Sequence, residues 1–262
     1  MKRFLILTII IFVFLTGCKS TNSNLVSQKT NTWAVLCAQE DYTNVPRITS
    51  LGNLTNGHLD IYRFQGMLEY FGWNENQIHK QLDTVTRENV TKELDWLIKN
   101  VKEDDTVLFY YLGHGSYLST EVEWSKFFED KWKQISGKNR ILIIASCQAE
   151  GKTKIVKNEE QQHITIASVS EDENAWGGMW NEGLPIIGGV FNYYFVEAHY
   201  NPLADTNNDG KVSIQEAFYW ADVEQRNYME NTVYPDNKDR WGHPTAVMEN
   251  TYEEEVFLYN WD

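Results

Sequence analysis

The sequence predicts an α/β protein built on a mostly parallel sheet with helices on both faces. Three observations carry that expectation: apolar runs of strand length, helix-period segments between them, and enough chain to enclose a core. The runs TWAVLCA, TVLFYYLG, RILIIAS and HITIASV are apolar on successive residues, whereas a strand with one wet face would alternate. Strands buried on both faces and separated by helices imply a parallel sheet. With 262 residues, 42% apolar and 14% aromatic, the composition argues against disorder over most of the chain.

The elements follow in order. Residues 32–38 form the first strand, with Cys37 inside it as a core thiol. In LDIYRFQGMLEYFG, Ile61, Phe64, Leu68 and Phe71 recur at helical spacing, and Gly72 stands where a helix stops. A second helix starts after the N-cap Thr86 and presents Val90, Leu94, Leu97, Ile98 and Val101 on one face. Polar segments between the later strands, such as EVEWSKFFEDKWKQIS, can form helices. Near the end, WGHPTAV reads as a loop leading into a late strand, where Pro244 suits a sheet edge. No internal repeat is visible. Neither a G-x-G-x-x-G fingerprint nor a phosphate-binding loop follows any strand, so nucleotide binding loses its usual support.

The formal charge is −14, and residues 1–17 carry only Lys2 and Arg3, which leaves −16 on the rest. Nucleic acid is a poor partner for such a surface. Residues 4–15 are an apolar stretch too short to span a bilayer. The following LTGC, at 15–18, resembles the lipobox of bacterial lipoproteins. That resemblance implies a signal peptide over 1–17, lipid on Cys18, and a membrane-anchored place on the bacterial cell envelope, outside the cytoplasm. A short uncleaved anchor or an ordinary secretory signal is the alternative. Residues 18–31 are polar and aperiodic, a flexible tether reaching roughly 20 Å. The domain proper then runs over 32–262. Cys37 and Cys147 are the other thiols, and their spacing suggests no disulfide.

Two strand ends carry the chemistry. TVLFYYL is followed by Gly113, His114 and Gly115, and RILIIAS by Cys147. If these strands are parallel neighbours, both side chains emerge at one carboxyl edge, where open α/β sheets place their sites. A thiol with an imidazole beside it suits acyl transfer, since the imidazole takes the thiol proton and returns one to the leaving amine. A lone cysteine at a strand end is more often a core thiol and a lone histidine a loop residue. It is the pair that points to chemistry.

An apolar run ending in His-Gly, then one ending in Ala-x-Cys, resembles the caspase-like superfamily of cysteine peptidases, over roughly residues 32–222. The legumain-type and bacterial caspase-domain members are the most similar, while the caspase signature Q-A-C-[RQG]-G is absent. ITIASVSEDENAWGG, at 164–178, resembles the strand and loop that wall the primary specificity pocket. GGVFNYYFVEA, at 188–198, resembles the helix after it. The resemblance implies a three-layer sandwich that hydrolyses polypeptides, with His114 as base, Cys147 as nucleophile, and backbone oxyanion donors at Gly115 and Cys147. It also implies a primary pocket lined by Gln148 and Ser168. The departures leave specificity open. Metacaspases carry Asp where Ala145 stands, legumains an acidic residue where Gly189 stands and an arginine pair where TNGHLD stands, and Arg47 is a weakly placed counterpart of caspase arginines. The acidic run Glu171, Asp172, Glu173 could attract a basic residue, although a solvated loop accounts for it. An alternative function is a non-catalytic caspase-like binding module or scaffold on the envelope.

A further motif is DTNNDGKVSIQE, at 205–216. Asp205, Asn207, Asp209, the Lys211 carbonyl and Glu216 fall at EF-hand ligand positions, with Ser213 at position nine and Gly210 at the sharp turn. The expectation is a structural calcium bracing the cleft wall. The alternative is a turn in which Ser213 and Glu216 form a capping box. His58, His79, His163, His199 and His243 show no metal-ligand spacing.

Overall fold

The computed structural model describes residues 31–45, 52–156, 160–178, 185–233 and 244–259. The signal segment, the tether up to residue 30, Cys18, Arg47 and His243 lie outside the described residues.

The four apolar runs form β1 (Thr32–Ala38), β3 (Thr106–Leu112), β4 (Asn139–Ala145) and β5 (Ile164–Ala167), once β2 (Ile78–Leu82) is counted between the first two. Together with β8 (Val247–Asn250) they make a six-stranded sheet in the order β2-β1-β3-β4-β5-β8. All neighbours are parallel except β5 and β8. Glycine pairs β6 (Gly177–Gly178) and β7 (Gly188–Gly189) form a separate antiparallel ladder beside the site.

Alternate residues of each central strand feed opposite layers, because successive strand side chains point to opposite faces. Leu36, Tyr110, Ile143 and Ile166 pack under α1 (Gly57–Tyr70), α6 (Val190–Ala198) and α7 (Ile214–Tyr228), where Phe64, Leu68, Phe195 and Phe218 meet them. Val35, Phe109, Leu142 and Ile144 face α2 (Arg87–Asn100), α3 (Gly115–Thr120) and α4 (Phe128–Trp132), with the short α5 (Glu150–Thr153) flanked by Ala149 and Val156 of the same cluster. In that layer the Trp124 and Phe128 rings stack at 3.5 Å, and Trp132 is fully buried. The architecture is therefore the three-layer sandwich the apolar runs imply.

Local rules account for some of the element ends. The Thr86 side chain accepts the Asn89 amide and starts α2, while Gly72 stops α1 at φ +84°. The segment 121–136 is less regular than one helix: Glu123, at φ +54°, breaks it into a 3-10 turn and the short α4. Strand β2 is absent from the hydropathy pattern because only Ile78 of its residues is buried. Its exposed lysine, Lys80, suits a parallel edge.

Candidate active site

The register of β3 on β4 builds the site. Leu112 lies opposite Ala145, so His114 and Cys147, each two residues further on, leave the sheet at the same level. Both line one cavity of about 340 Å³ over the carboxyl edge, with Ser168, Trp176, Asn192 and Gln225 among its walls.

The histidine backbone is clamped by two phenols. His114 N donates to Tyr42 Oη at 2.8 Å, and Tyr111 Oη donates to the His114 carbonyl at 3.1 Å. A Cβ on Gly113 would lie 2.5 Å from Tyr111 Oη and 2.8 Å from Tyr42 Oη, so only glycine admits both hydroxyls. The imidazole leans on the Tyr42 ring at 4.7 Å, and its Nε2 sits 3.0 Å from the Gly52 carbonyl. A proton on Nε2, donated to that carbonyl, leaves Nδ1 as the basic nitrogen.

Cys147 is half-buried, with Sγ 3.9 Å from the Ala175 carbonyl, and is a free thiol like Cys37. Burial pushes the Cys37 thiol far up, which fits an inert core residue. Gly115 opens α3 directly against the nucleophile turn: a Cβ there would stand 2.1 Å from the Cys147 carbonyl oxygen. Gln148 adopts a left-handed φ of +54° and donates its amide to the Glu173 carbonyl. Ser168 stays on the wall of the cavity, its Oγ buried without a hydrogen-bond partner. Gln148 does not share that wall. It borders a second depression of about 410 Å³, with Trp124, Lys152, Glu171 and Asp172.

Two residues of the cavity, Asp60 and Gln225, carry little signal in the sequence. Asp60 is 2% exposed and accepts the Gly189 amide at 2.6 Å and Arg63 Nη1 at 3.2 Å. Burial pushes its carboxyl up to about 7, against the pull of those donors. A Cβ on Gly188 would lie 2.4 Å from its Oδ1, so the glycine pair lets the β7 backbone close over the carboxylate. Gln225, from α7, donates to the Ser168 carbonyl at 3.2 Å and ties that helix to the pocket wall. The one hint in sequence is Asp60 itself, a carboxylate one turn before Phe64 on the apolar stripe of α1. Of the acidic run, Glu171 pairs with Lys154 at 2.7 Å, and Glu173 caps the amides of Ser170 and Thr245.

The 205–216 loop folds around its own side chains. Asp205 accepts the amides of Asp209 and Gly210, Asn207 also accepts that of Asp209, and Asp209 accepts that of Lys211. Glu216 and Ser213 form the capping box of α7, and the other Glu216 oxygen takes Thr206 N, Thr206 Oγ1 and Asn207 N. Burial raises the Glu216 carboxyl, yet these donors outweigh it and hold it below its ordinary value. The donor set fits calcium in kind, being carboxylate and amide oxygens around a turn at Gly210. A separate group, Glu40, His58 and Asp83, brings its ligand atoms within 4.8 Å of one another, with the His58 ring between the two carboxylates.

A parallel sheet under helices on both faces, with a thiol and an imidazole at adjacent strand ends, is a cysteine-peptidase type of fold. Residues 31–250 match the caspase domain family, and the chain belongs to it. Its fold is similar to that of caspase-1 from Spodoptera frugiperda, at a TM-score of 0.60 and 13% identity, over 88% of this chain and 90% of that one. No curated protein matches the sequence.

Proposed function

We propose that the protein is a cysteine endopeptidase that hydrolyses polypeptides with a Cys147–His114 dyad. The observation that supports this best is the parallel β3–β4 register, which delivers both side chains to one cavity. His114 takes the Cys147 proton, and the thiolate attacks the scissile carbonyl carbon. The backbone amides of Gly115 and Cys147 stabilise the developing oxyanion. The tetrahedral adduct collapses to a thioester as His114 protonates the departing amine, and water then releases the acid by the reverse proton path. Ser168 lies on the wall where the substrate side chain before the scissile bond would enter.

Two further parts complete the reading. Lipid on Cys18 would hold the domain to the envelope outside the cytoplasm, and calcium held by Asp205, Asn207, Asp209, Lys211 and Glu216 would brace the loop against α7. Such an ion would supply charge neutralisation among carboxylates on an acidic chain. Cleavage of a peptide library by the wild type, abolished in Cys147→Ala, tests the peptidase. A wild-type protein without cleavage at any peptide bond would leave the scaffold reading instead. Mass spectrometry of the mature N-terminus tests the lipid, and a free Met1 would remove it.

A further inference from the structure

We propose that Lys152 is a positioning residue for the nucleophile: its ammonium braces the turn that carries Cys147 and sets a positive charge beside the thiolate. This rests on the reading of Cys147 as nucleophile. Lys152 is 9% exposed and has no carboxylate partner among the described residues. Its Nζ donates to the Gln148 carbonyl at 3.0 Å and to the Cys147 carbonyl at 3.4 Å. An ammonium taken from water with only carbonyl oxygens around it is costly, and a leucine would fill the space without that cost. The charge therefore needs a reason, and Nζ, 3.4 Å from the Cys147 carbonyl, sits on the same residue whose sulfur becomes the thiolate.

The surroundings fix the lysine firmly. Its amide donates to the Ala149 carbonyl at 2.9 Å, and Trp124 Nε1 donates to the Lys152 carbonyl at 3.2 Å. A Cβ on Gly115 would lie 3.2 Å from Nζ, so the ammonium reaches under the start of α3. Gln148, at φ +54°, is in a conformation most side chains avoid, and two carbonyls aimed at one cation hold that turn in place. Other charged groups face this region from each neighbouring element. His114 stands across the cavity, Glu171 and Asp172 share the second depression, and Glu150 and Glu171 are already matched by Lys154. Burial lowers the Lys152 ammonium from its ordinary value, and the Cys147 sulfur pulls it back.

The test uses the full chain and needs no peptide substrate. Iodoacetamide alkylation of Cys147, followed on its own tryptic peptide across pH, reads the thiolate directly. In Lys152→Met the midpoint should rise by on the order of one pH unit, as expected for removal of a nearby opposite charge. Lys152→Arg, with the second depression beside it to accept the larger head, should restore most of the shift. An unmoved midpoint in a folded Lys152→Met would overturn the proposal. So would a shift that arginine does not reverse, because shape rather than charge would then be responsible. Should Lys152→Met fail to fold, NMR titration of the Lys152 ammonium in wild type and Cys147→Ala reads the same coupling from the other side, and identical titrations would overturn it. Peptide hydrolysis that survives in Cys147→Ala would instead remove the dyad and leave the alkylation result standing.

Discussion

In the 205–216 loop, both oxygens of Asp205 and of Glu216 are taken by amides and hydroxyls of the loop itself. In the cleft over β3 and β4, Ser168 Oγ is buried without a partner and burial holds the Asp60 carboxyl up near 7, while in the depression next to it Lys152 meets no carboxylate among the described residues. The loop spends its polar groups on its own conformation, and the cleft leaves them open toward a cavity. Groups saturated locally stabilise the fold, whereas groups left open are held in reserve for a guest, at a cost in stability. Substitutions in the two regions should therefore fail in opposite ways.

The largest effect should come from Cys147→Ala and His114→Ala. Each should lower peptide hydrolysis by about 10³-fold or more, while Tm moves by no more than about 2 °C, measured by fluorogenic peptide assay and calorimetry. Wild-type turnover in either variant would erase the contrast. Gly115→Ala comes next, because its new methyl would meet the Cys147 carbonyl at 2.1 Å and push the turn away. A displacement near 1 Å at the nucleophile costs about 10²-fold in rate. Here Tm should fall as well, since α3 and the turn can no longer close together.

Glu216→Ala should behave in the reverse sense. Loss of several charge-assisted hydrogen bonds should cost about 2 kcal/mol. That is a Tm drop of about 4–8 °C for a chain this long, with activity changed less than about threefold. Calcium sharpens the same point: at a hundredfold excess over its Kd it should add about 2.7 kcal/mol to the wild type and less to Glu216→Gln. A thermal scan with chelator that matches the scan with calcium would leave the capping box as the whole role of this loop.

The smallest net effect is in pH. The folded value of about 7 for Asp60 lies above that of the unfolded chain, so the folded state keeps a proton the unfolded state has lost. Stability from this source is greatest near pH 4 and falls as pH rises to about 7. His199, which burial lowers to about 4, works in reverse: its contribution is full above 6.5 and is lost as pH falls toward 4. Each spans about 2–4 kcal/mol, and they offset between pH 4 and 6.5. Asp60→Asn should uncover the acid-side loss from His199 as a steeper fall of Tm below pH 6.5. A Tm profile parallel to that of wild type would refute the assignment.

What could be read from the chain follows from how local each cause is. Strands β1, β3, β4 and β5 show because a strand buried on both faces has no polar positions to hide it. His114 and Cys147 show because each ends such a strand. By contrast, β2 is invisible, since an edge strand with one buried residue has no pattern. The short α3 is invisible too, since GSYLST is a poor helix held by packing against the nucleophile turn. Asp60 and Lys152 escape for a different reason. Asp60 gains its meaning from Gly189, 129 positions away, and Lys152 from a turn whose geometry hydropathy does not encode. The family resemblance alone implied that Gln148, as the residue after the nucleophile, lines the primary pocket. Its left-handed φ turns it toward the second depression instead.

The antiparallel partner of β5 also bears on how the chain reaches this state. Ile164 pairs with Asn250, and the strands that carry His114 and Cys147 are all encoded before residue 170. At a synthesis rate of about 5–20 residues per second, roughly four to seventeen seconds pass between the emergence of β5 and that of β8. During that interval the fully buried sequence ITIA presents an unpaired, apolar sheet edge, which is the kind of surface on which nascent chains associate. The last strand is thus a closing seam, which pairs the β5 edge only once residues 247–250 are in place.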